Sequence, residues 1–368
     1  MTPYYVLFLL IVGLGLFSGV SKAVKEFSLL GIMAVLFFFM AFRARSVGAD
    51  TNNYVWLFVS QGMSYSSLAE VWASKGGISA LYDMYAWAVY QLCPYEQAIL
   101  VCNSLIICVG VFLFIREFSK TEIFSVLIYV LSFCYFFAFN GMRQSVAASI
   151  VLMALVCMNR KQYLPEILLL IVALGIHQTA FFMVPITISL HLLRNCKRYG
   201  ATCIFVTCLA AALVVRVLYE PLFYVFSGMF EHYSMYSAGS SPYATSDLTQ
   251  GRQAILYVVV GLFMFFATRI PGISRSICFD GGNRVIWLVG SLCVGMGIFC
   301  TGYELLARLI YYTLPALCCN LGLLSEKLDV GNKTVLIRMG LLVCYFVLCI
   351  YMLKSNYSIV VPYSFCWM

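Results

Sequence analysis

The sequence predicts an all-α membrane protein that crosses the bilayer many times. Of its 368 residues, 63% are hydrophobic and only 10% are charged, and the mean hydropathy is +0.94. A soluble domain has about 45–50% apolar and about 25% charged residues. Because so much apolar surface is stable only in lipid, this composition excludes a cytosolic enzyme, a nucleic-acid-binding module and a secreted domain.

Twelve apolar runs, bounded by polar or basic clusters, predict about twelve transmembrane helices. Helices are expected because lipid cannot satisfy exposed backbone groups and no ten-residue alternating pattern is present. Many runs are short for a hydrocarbon core of ~30 Å. We expect one integral membrane domain over residues 1–368. The runs lie at 3–20, 27–42, 95–115, 123–139, 144–158, 163–177, 178–193, 201–219, 253–268, 285–300, 308–324 and 336–353.

The distribution of basic residues predicts the orientation. If both termini are periplasmic, 15 of the 23 Lys and Arg residues lie on the cytoplasmic side and 8 elsewhere, as the positive-inside rule favours. The net charge of +8 is therefore interpreted as a topology signal, and no nucleic-acid partner is expected. Periplasmic loops are predicted over 43–94 and 220–252. An amphipathic stretch at 78–93 is expected to lie at the interface; if it crosses the bilayer, there are thirteen helices.

Six of the eight basic residues outside the cytoplasmic set are arginines. Arginine suits bidentate recognition of phosphate or carboxylate, and an arginine within the membrane is a functional-site hypothesis by default. The alternative for any one of them is snorkelling to a lipid phosphate, which suits Arg216. As a set, the arginines predict an anion-binding site on the outer side.

Two segments concentrate this signal. Residues 43–54 come directly after the second predicted helix and combine two arginines with a carboxylate, a glycine and several hydrogen-bonding side chains. Residues 140–144 form a predicted turn between two short helices. Arg143 opens the second of them, where the helix dipole also favours an anion. The candidate side chains are Arg43, Arg45, Asp50, Tyr54, Arg143 and Gln144.

A third segment, 175–179, lies at the tip of a predicted hairpin. Only the 31 residues of Tyr163–Leu193 separate two basic clusters, whereas two full crossings need about 40 residues. The hairpin is therefore expected to be shallow or broken, with His177 just below the periplasmic surface. A structural histidine bonded to a neighbouring helix is the alternative. A fourth region pairs Glu304 with Arg308 at i, i+4, which can also be a simple intrahelical ion pair.

No metal site or cofactor is predicted. The 16 cysteines include no C-x-x-C pair and the chain has three histidines, too few ligands at unsuitable spacings for zinc or an iron–sulfur cluster.

These motifs resemble the Wzy-type O-antigen and capsule polymerases, in their EpsG-like branch. The matching features run in order along nearly the whole chain: R-x-R-x-x-G-x-D-T-x-x-Y at 43–54, Tyr82-Asp83, G-M-R-Q-x-x-A at 141–147, an apolar-H-x-T/S-A motif at 176–180, R-x-x-x-Y at 308–312 and V-P-Y at 361–363. The resemblance implies an activity, a cellular location and roles for the candidate residues.

The implied enzyme is a metal-independent glycosyltransferase of the bacterial inner membrane. At the periplasmic face it would transfer a growing glycan from undecaprenyl pyrophosphate to a new lipid-linked repeat unit, so that donor and acceptor are both lipid-linked. A chain-length regulator is a candidate partner. Arg143 and Arg308 would hold the pyrophosphate with help from Arg43 and Arg45, and His177 or Asp50 would accept the proton or orient the acceptor. The further substrate-binding candidates are Tyr54, Gln144, Glu304, in reserve as a base, and Tyr312.

Three other functions stay open on the sequence. An O-antigen ligase would use the same donor and arginines, and the order of the motifs favours the polymerase over it. A flippase or transporter of lipid-linked oligosaccharide would usually show internal pseudo-repeats, and none is visible. A membrane acyltransferase is a weaker alternative, since its histidine is expected among cytoplasmic basic motifs.

Overall fold

The computed structural model describes residues 1–17, 21–76, 80–194, 196, 199–229, 248–328 and 333–368. Within these ranges the chain is helical, and β-structure is limited to one isolated antiparallel bridge between Arg43 and Phe365. The contacts divide the chain into unit 1, Met1–Pro185 with Arg338–Met368, and unit 2, Ile186–Ile337.

Unit 1 holds the first ten helices, some of which begin at a capping residue. Ser21, for example, caps α2 by accepting a hydrogen bond from the Val24 amide at 3.2 Å. A 3-10 helix over Gln178–Phe182 comes after α10, beyond a break at His177. The helices are α1 (Thr2–Leu16), α2 (Lys22–Ala41), α3 (Thr51–Ser64), α4 (Leu68–Lys75), α5 (Ala80–Leu92), α6 (Gln97–Phe118), α7 (Glu122–Leu131), α8 (Cys134–Asn140), α9 (Met142–Asn159) and α10 (Tyr163–Ile176).

Unit 2 is built around α15, which is buried along most of its length. Two side-chain hydrogen bonds join α15 to its neighbours. The Trp287 indole donates to the Ala201 carbonyl at 2.9 Å, and the Asn320 amide donates to the Ile286 carbonyl at 2.9 Å. The remaining helices of the chain are α11 (Met183–Leu193), α12 (Ala201–Met229), α13 (Leu248–Ala267), α14 (Pro271–Phe279), α15 (Gly281–Phe299), α16 (Glu304–Lys327) and α17 (Lys333–Lys354), of which α11 and α17 contain the unit boundaries.

The lengths and compositions of these helices confirm a polytopic membrane protein. Among the described residues, seven helices are long and apolar enough to cross a bilayer, or nine if each of two bent pairs is one span. The bends are 50° between α7 and α8 and 93° between α13 and α14. Three shorter apolar helices, Thr2–Leu16, Tyr163–Ile176 and Gln178–Leu193, coincide with runs that the sequence prediction counted among its twelve.

The region predicted as the 43–94 loop is more helical than expected. The amphipathic helix expected over 78–93 is present as α5, but α3 and α4 precede it. Their apolar patterns are short, so hydropathy alone does not reveal them. A capping arrangement starts α4: the Ser67 hydroxyl accepts from the Glu70 amide at 3.3 Å, and the Glu70 carboxylate accepts from the Ser66 amide at 2.8 Å. The hydrogen bonds that the Glu70 carboxylate accepts from the Ser66 amide and the Ser66 hydroxyl lower the pKa of Glu70.

The second predicted loop, 220–252, is also partly helical. Helix α12 continues to Met229 and α13 begins at Leu248. The apolar residues of 222–226 (LFYVF) extend the apolar run that precedes them. The rest of this predicted loop, 230–247, lies outside the described residues.

A buried arginine near the start of α15 stabilises unit 2. Arg284 is 1% exposed, and its guanidinium donates to the carbonyls of Leu193 and Tyr199 at 3.1 Å and of Cys278 at 3.2 Å. Leu193 ends α11 and Cys278 lies in the last turn of α14. The guanidinium therefore satisfies carbonyls that helix ends leave without a partner and offsets their partial negative charge.

Replacing Arg284 with alanine should destabilise unit 2 by about 1–3 kcal/mol, because buried carbonyls lose their donors. The measurement is the thermal unfolding midpoint of the detergent-purified protein. Arg275→Ala is the matched control, since Arg275 is an exposed arginine on the neighbouring α14. Equal midpoints for the two variants would contradict this role of Arg284.

Candidate functional site in unit 1

The segment 43–50 is held in place from two sides. Residues near the carboxyl end of the chain pair with it: the Gly48 amide donates to the Ile359 carbonyl at 2.8 Å, and the Ala44 amide donates to the Ser364 carbonyl at 2.9 Å. On the other side, the Asp50 amide donates to the Asn140 side chain at 3.1 Å. The first two motifs of the sequence analysis are therefore joined directly, and the tail that carries V-P-Y is joined to them.

Gly48 allows this close packing. Its φ is +97°, and a Cβ at this position would lie 2.3 Å from the Phe139 carbonyl oxygen and 2.7 Å from Thr51 Oγ1. The Thr51 hydroxyl itself lies 2.7 Å from the Val47 carbonyl oxygen and 2.9 Å from that of Phe139. Only glycine fits both the positive φ and the space available.

Arg43 is fully buried beneath this segment. Its guanidinium donates to the Met40 carbonyl, its Nε lies 3.4 Å from Thr51 Oγ1, and its Cζ lies 4.8 Å from the centre of the Phe139 ring. Met40 lies in the last turn of α2, so the partial negative charge of that helix end and the negative face of the Phe139 ring stabilise the cation. Burial lowers the pKa of Arg43 to about 10, and the side chain stays charged at neutral pH.

Arg45 and Tyr54, by contrast, reach the surface of unit 1. Arg45 is exposed and forms an ion pair with Glu96. Tyr54 is half-buried, and its ring packs edge-on against Tyr82, with centroids 6.4 Å apart. An anion can therefore reach Arg45 directly, whereas Arg43 is closed off in this conformation.

Arg143 is contacted on three sides. Its Nε donates to the Ile176 carbonyl at 2.7 Å, its Nη2 lies 3.7 Å from Asp83 Oδ2, and its Cζ lies 4.8 Å from the centre of the Tyr82 ring. The side chain keeps 24% of its surface exposed. Arg143 is the second residue of α9, and the neighbouring Gln144 is buried. The structure thus holds a partly exposed guanidinium beside a helix N-terminus, as the sequence predicts.

The Asp83 carboxylate has a second partner on α3. Its Oδ1 accepts from the Gln61 amide at 3.1 Å, and its side chain is 14% exposed. The adjacent Tyr82 hydroxyl accepts from the Asn103 amide at 2.9 Å, and burial raises the pKa of Tyr82, so the phenol stays neutral next to Arg143. Sequence reasoning noted Tyr82-Asp83 as a motif but did not place Asp83 in the site.

His177 lies where α10 breaks, directly after the carbonyl that Arg143 binds. Helix α10 lies close to α5 two residues before His177: a Cβ on Gly175 would lie 2.7 Å from a Leu81 methyl group. Nδ1 of His177 accepts from the Thr179 amide at 3.3 Å and lies 2.7 Å from the Thr179 hydroxyl oxygen. Because an amide can only donate, this arrangement assigns the proton of the neutral ring to Nε2.

The fourth predicted region belongs to unit 2. Arg308 and Tyr312 lie on α16, Arg308 half-buried and Tyr312 fully buried, whereas the Glu304 side chain lies outside the described part of the chain, so the predicted i, i+4 pair is untested. Sequence reasoning interpreted Arg216 as a snorkelling residue. Its guanidinium Cζ lies 3.9 Å from the centre of the Tyr303 ring, the residue just before α16.

The described residues contain no cluster of three or more His, Cys, Asp or Glu side chains that could hold a metal ion. Around Arg143 the structure brings together a cation, the Asp83 carboxylate and the Gln61 amide, and the His177 imidazole follows directly after the Ile176 carbonyl that Arg143 binds. Such a set can bind an anion, donate a hydrogen bond to an oxygen and accept a proton.

The comparisons with known proteins give one match. The sequence model of the EpsG family matches residues 26–365, which is nearly the whole chain and includes every candidate residue above. No curated protein and no solved structure matches the chain. The family indicates a glycosyltransferase-like membrane protein of the exopolysaccharide or O-antigen polymerase type. By this match, the chain belongs to the EpsG family.

Proposed function

We propose that the protein polymerises undecaprenyl-pyrophosphate-linked oligosaccharide repeat units at the periplasmic face of the bacterial inner membrane. The acceptor hydroxyl oxygen attacks the anomeric carbon of the donor glycan, the bond from that carbon to the pyrophosphate oxygen breaks, and undecaprenyl pyrophosphate leaves with the electron pair. The hydroxyl proton passes to a base on the enzyme. This reaction makes two demands: charge must be stabilised on the leaving group, and the acceptor must be oriented and deprotonated.

Because the chain belongs to the EpsG family, the position of Arg143 is the observation that best supports this proposal. Its guanidinium is partly exposed and fixed by the Ile176 carbonyl at 2.7 Å, at the start of a helix whose dipole adds positive potential. Preorganised cations are the most effective stabilisers of charge that develops on a leaving group. Arg143 therefore binds the pyrophosphate and Arg45 assists from the surface.

Arg43 acts differently, because it is buried under the segment that carries Arg45 and Asp50. It keeps that segment in shape through its contacts with α2 and α8. For unit 2, taken by itself, the sequence prediction stays a proposal: Arg308 is a pyrophosphate ligand, Tyr312 lies on the same helix, and Glu304 is a reserve base. Tyr54 and Gln144 complete the substrate-binding set, Tyr54 by stacking on a sugar face.

His177 orients the acceptor, and Asp50 accepts the proton. The hydrogen bond from the Thr179 amide to Nδ1 leaves Nε2 of the neutral ring as a donor. A donor can hold a sugar oxygen but cannot take its proton. Asp50 is a half-buried carboxylate at the start of α3, and its amide is bonded to Asn140, three residues before Arg143.

Replacing His177 with glutamine separates these two roles. The glutamine amide can donate from about the position of Nε2, so His177→Gln should keep activity within about tenfold of wild type, whereas His177→Ala should lose about 10²-fold or more. The measurement is the elongation rate of lipid-linked repeat units by protein reconstituted in vesicles. If the Gln variant is as inactive as the Ala variant, His177 is the base.

Deletion of the gene tests the function as a whole. The surface glycans of the deleted cells are separated by electrophoresis, and the ladder of chain lengths is compared with that of wild type. Lipid A–core capped with a single repeat unit, and no longer bands, supports the polymerase. Loss of all capped forms with accumulation of lipid-linked glycan contradicts the polymerase. Accumulated glycan in the periplasm then indicates a ligase, and accumulated glycan on the cytoplasmic side indicates a flippase.

Metal independence is tested by measuring elongation by the purified protein in the presence of a chelator.

A further inference from the structure

The two ends of α9 each carry an arginine paired with a carboxylate, and the two pairs differ. At the carboxyl end, Arg160 donates to Glu117 with both Nε and Nη2, at 2.9 and 2.7 Å, and Asn159 donates to the same carboxylate at 2.7 Å. At the amino end, Arg143 approaches Asp83 with one nitrogen at 3.7 Å. The first pair has the two-donor geometry of a strong structural ion pair. The second is a loose pair.

A loose pair suits an arginine whose partner is exchanged during turnover. Arg143 is fixed by the Ile176 carbonyl and the Tyr82 ring, neither of which neutralises its charge. Asp83 is the carboxylate that forms an ion pair with it. A pyrophosphate offers more charge and more oxygen atoms than one carboxylate, so it can displace Asp83 from Arg143.

Gln61 lowers the free-energy cost to Asp83 of losing Arg143 as a partner. The carboxylate is 14% exposed, and leaving it without a partner would carry a desolvation penalty. The Gln61 amide donates to Oδ1 at 3.1 Å, whereas Arg143 approaches Oδ2. The two partners thus use different oxygens, and the hydrogen bond to Gln61 can persist while Arg143 turns to the substrate.

We infer that Asp83 is a positioning residue that competes with the pyrophosphate group for Arg143 and so promotes the release of undecaprenyl pyrophosphate after each transfer. This inference rests on the proposed function for its place in the cycle. The competition weakens ground-state binding of the lipid pyrophosphate and prevents the product from occupying Arg143. Asp83 makes no bond to the reacting atoms in this role.

The test is a direct measurement of undecaprenyl pyrophosphate binding to the full-length protein in lipid nanodiscs. Asp83→Asn keeps the size of the side chain and an acceptor for Gln61 but removes the charge. It should tighten binding by about threefold or more, since loosely paired, partly exposed ions contribute about this factor. In elongation assays, KM for lipid-linked repeat units and kcat should both fall, because substrate binds more tightly and product leaves more slowly.

A second variant, Gln61→Leu, is expected to change the binding of undecaprenyl pyrophosphate in the opposite direction. Without the Gln61 amide, the Asp83 carboxylate pairs more closely with Arg143, so binding of undecaprenyl pyrophosphate should weaken and KM should rise. The matched control is Glu117→Gln, which removes the carboxylate of the pair at the other end of α9 and should leave binding unchanged.

Two outcomes would overturn the inference: weaker or unchanged binding in Asp83→Asn, which is expected if Asp83 only maintains the fold, or tighter binding in Gln61→Leu. A failure of the proposed function is visible separately. If wild-type protein does not elongate repeat units, the polymerase assignment falls, while the binding measurements on the two variants still decide whether Asp83 competes for Arg143.

Discussion

Replacing Arg143 with alanine is expected to abolish long glycan chains while leaving the protein level unchanged. The guanidinium is the partly exposed cation that α5, α9 and α10 position together through Asp83, Tyr82 and the Ile176 carbonyl. Loss of one preorganised group that stabilises developing charge costs about 10²–10³-fold in rate. We therefore expect the elongation rate of reconstituted protein to fall by about this factor.

Two further variants make the Arg143 experiment specific. Arg143→Lys keeps the charge but loses the planar fork that binds phosphate with two donors, and should give an intermediate rate. Arg160→Ala removes the arginine just beyond the other end of the same helix, where it pairs with Glu117, and should leave the chain-length distribution unchanged. Normal chains from Arg143→Ala, or equal loss in both alanine variants, would contradict the assignment.

Replacing Gly48 with alanine should disrupt the segment 43–50 and the activity with it. The residue has φ +97°, and its added methyl group would lie 2.3 Å from the Phe139 carbonyl oxygen, which belongs to rigid backbone. The positive φ and the overpacking together cost about 2–5 kcal/mol. We expect a lower thermal unfolding midpoint for the purified protein and shorter glycan chains in cells.

Gly76 supplies the control for this substitution. It also has a positive φ, +55°, but a Cβ there would meet nothing within 4 Å. Gly76→Ala should therefore cost only the backbone strain, about 1–2 kcal/mol, and should keep the chain-length distribution of wild type. If the two alanine variants behave alike, the contact with Phe139 is not what makes glycine necessary at position 48.

The positions of the long helices could be predicted from the sequence because each is a single apolar run in lipid. Helices α3, α4 and α14 could not, since they are short or amphipathic and depend on local capping, such as that of Ser67 and Glu70, and on tertiary packing. The bend between α7 and α8 could not be predicted either. It occurs at Phe133, whose φ of +69° interrupts the predominantly apolar run from 123 to 139.

The sequence indicates some residues of the candidate site, but it does not show how they pair. An excess of arginine outside the cytoplasmic loops indicated Arg143, and the short 163–193 hairpin indicated His177; the structure places the Ile176 carbonyl, next to His177, on Arg143. The role of Asp83 was not visible, since a single carboxylate in an amphipathic segment resembles a solvated one. The burial of Arg43 was not visible either, because helix ends that offset its charge have no sequence signature.

The pairing of segment 43–50 with residues 358–366 has a consequence for the order of assembly. Tyr363 donates to the Phe39 carbonyl across a sequence separation of 324 residues, and the Gly48 and Ala49 amides bond to the same distant stretch. During synthesis, α2 enters the membrane long before its partner residues leave the ribosome, and contacts this distant in sequence form late. A chain interrupted after α17 would insert its helices and yet lack the shaped segment that carries Arg45 and Asp50. We therefore expect activity to require completion of translation, and truncated copies in the same membrane to be inactive.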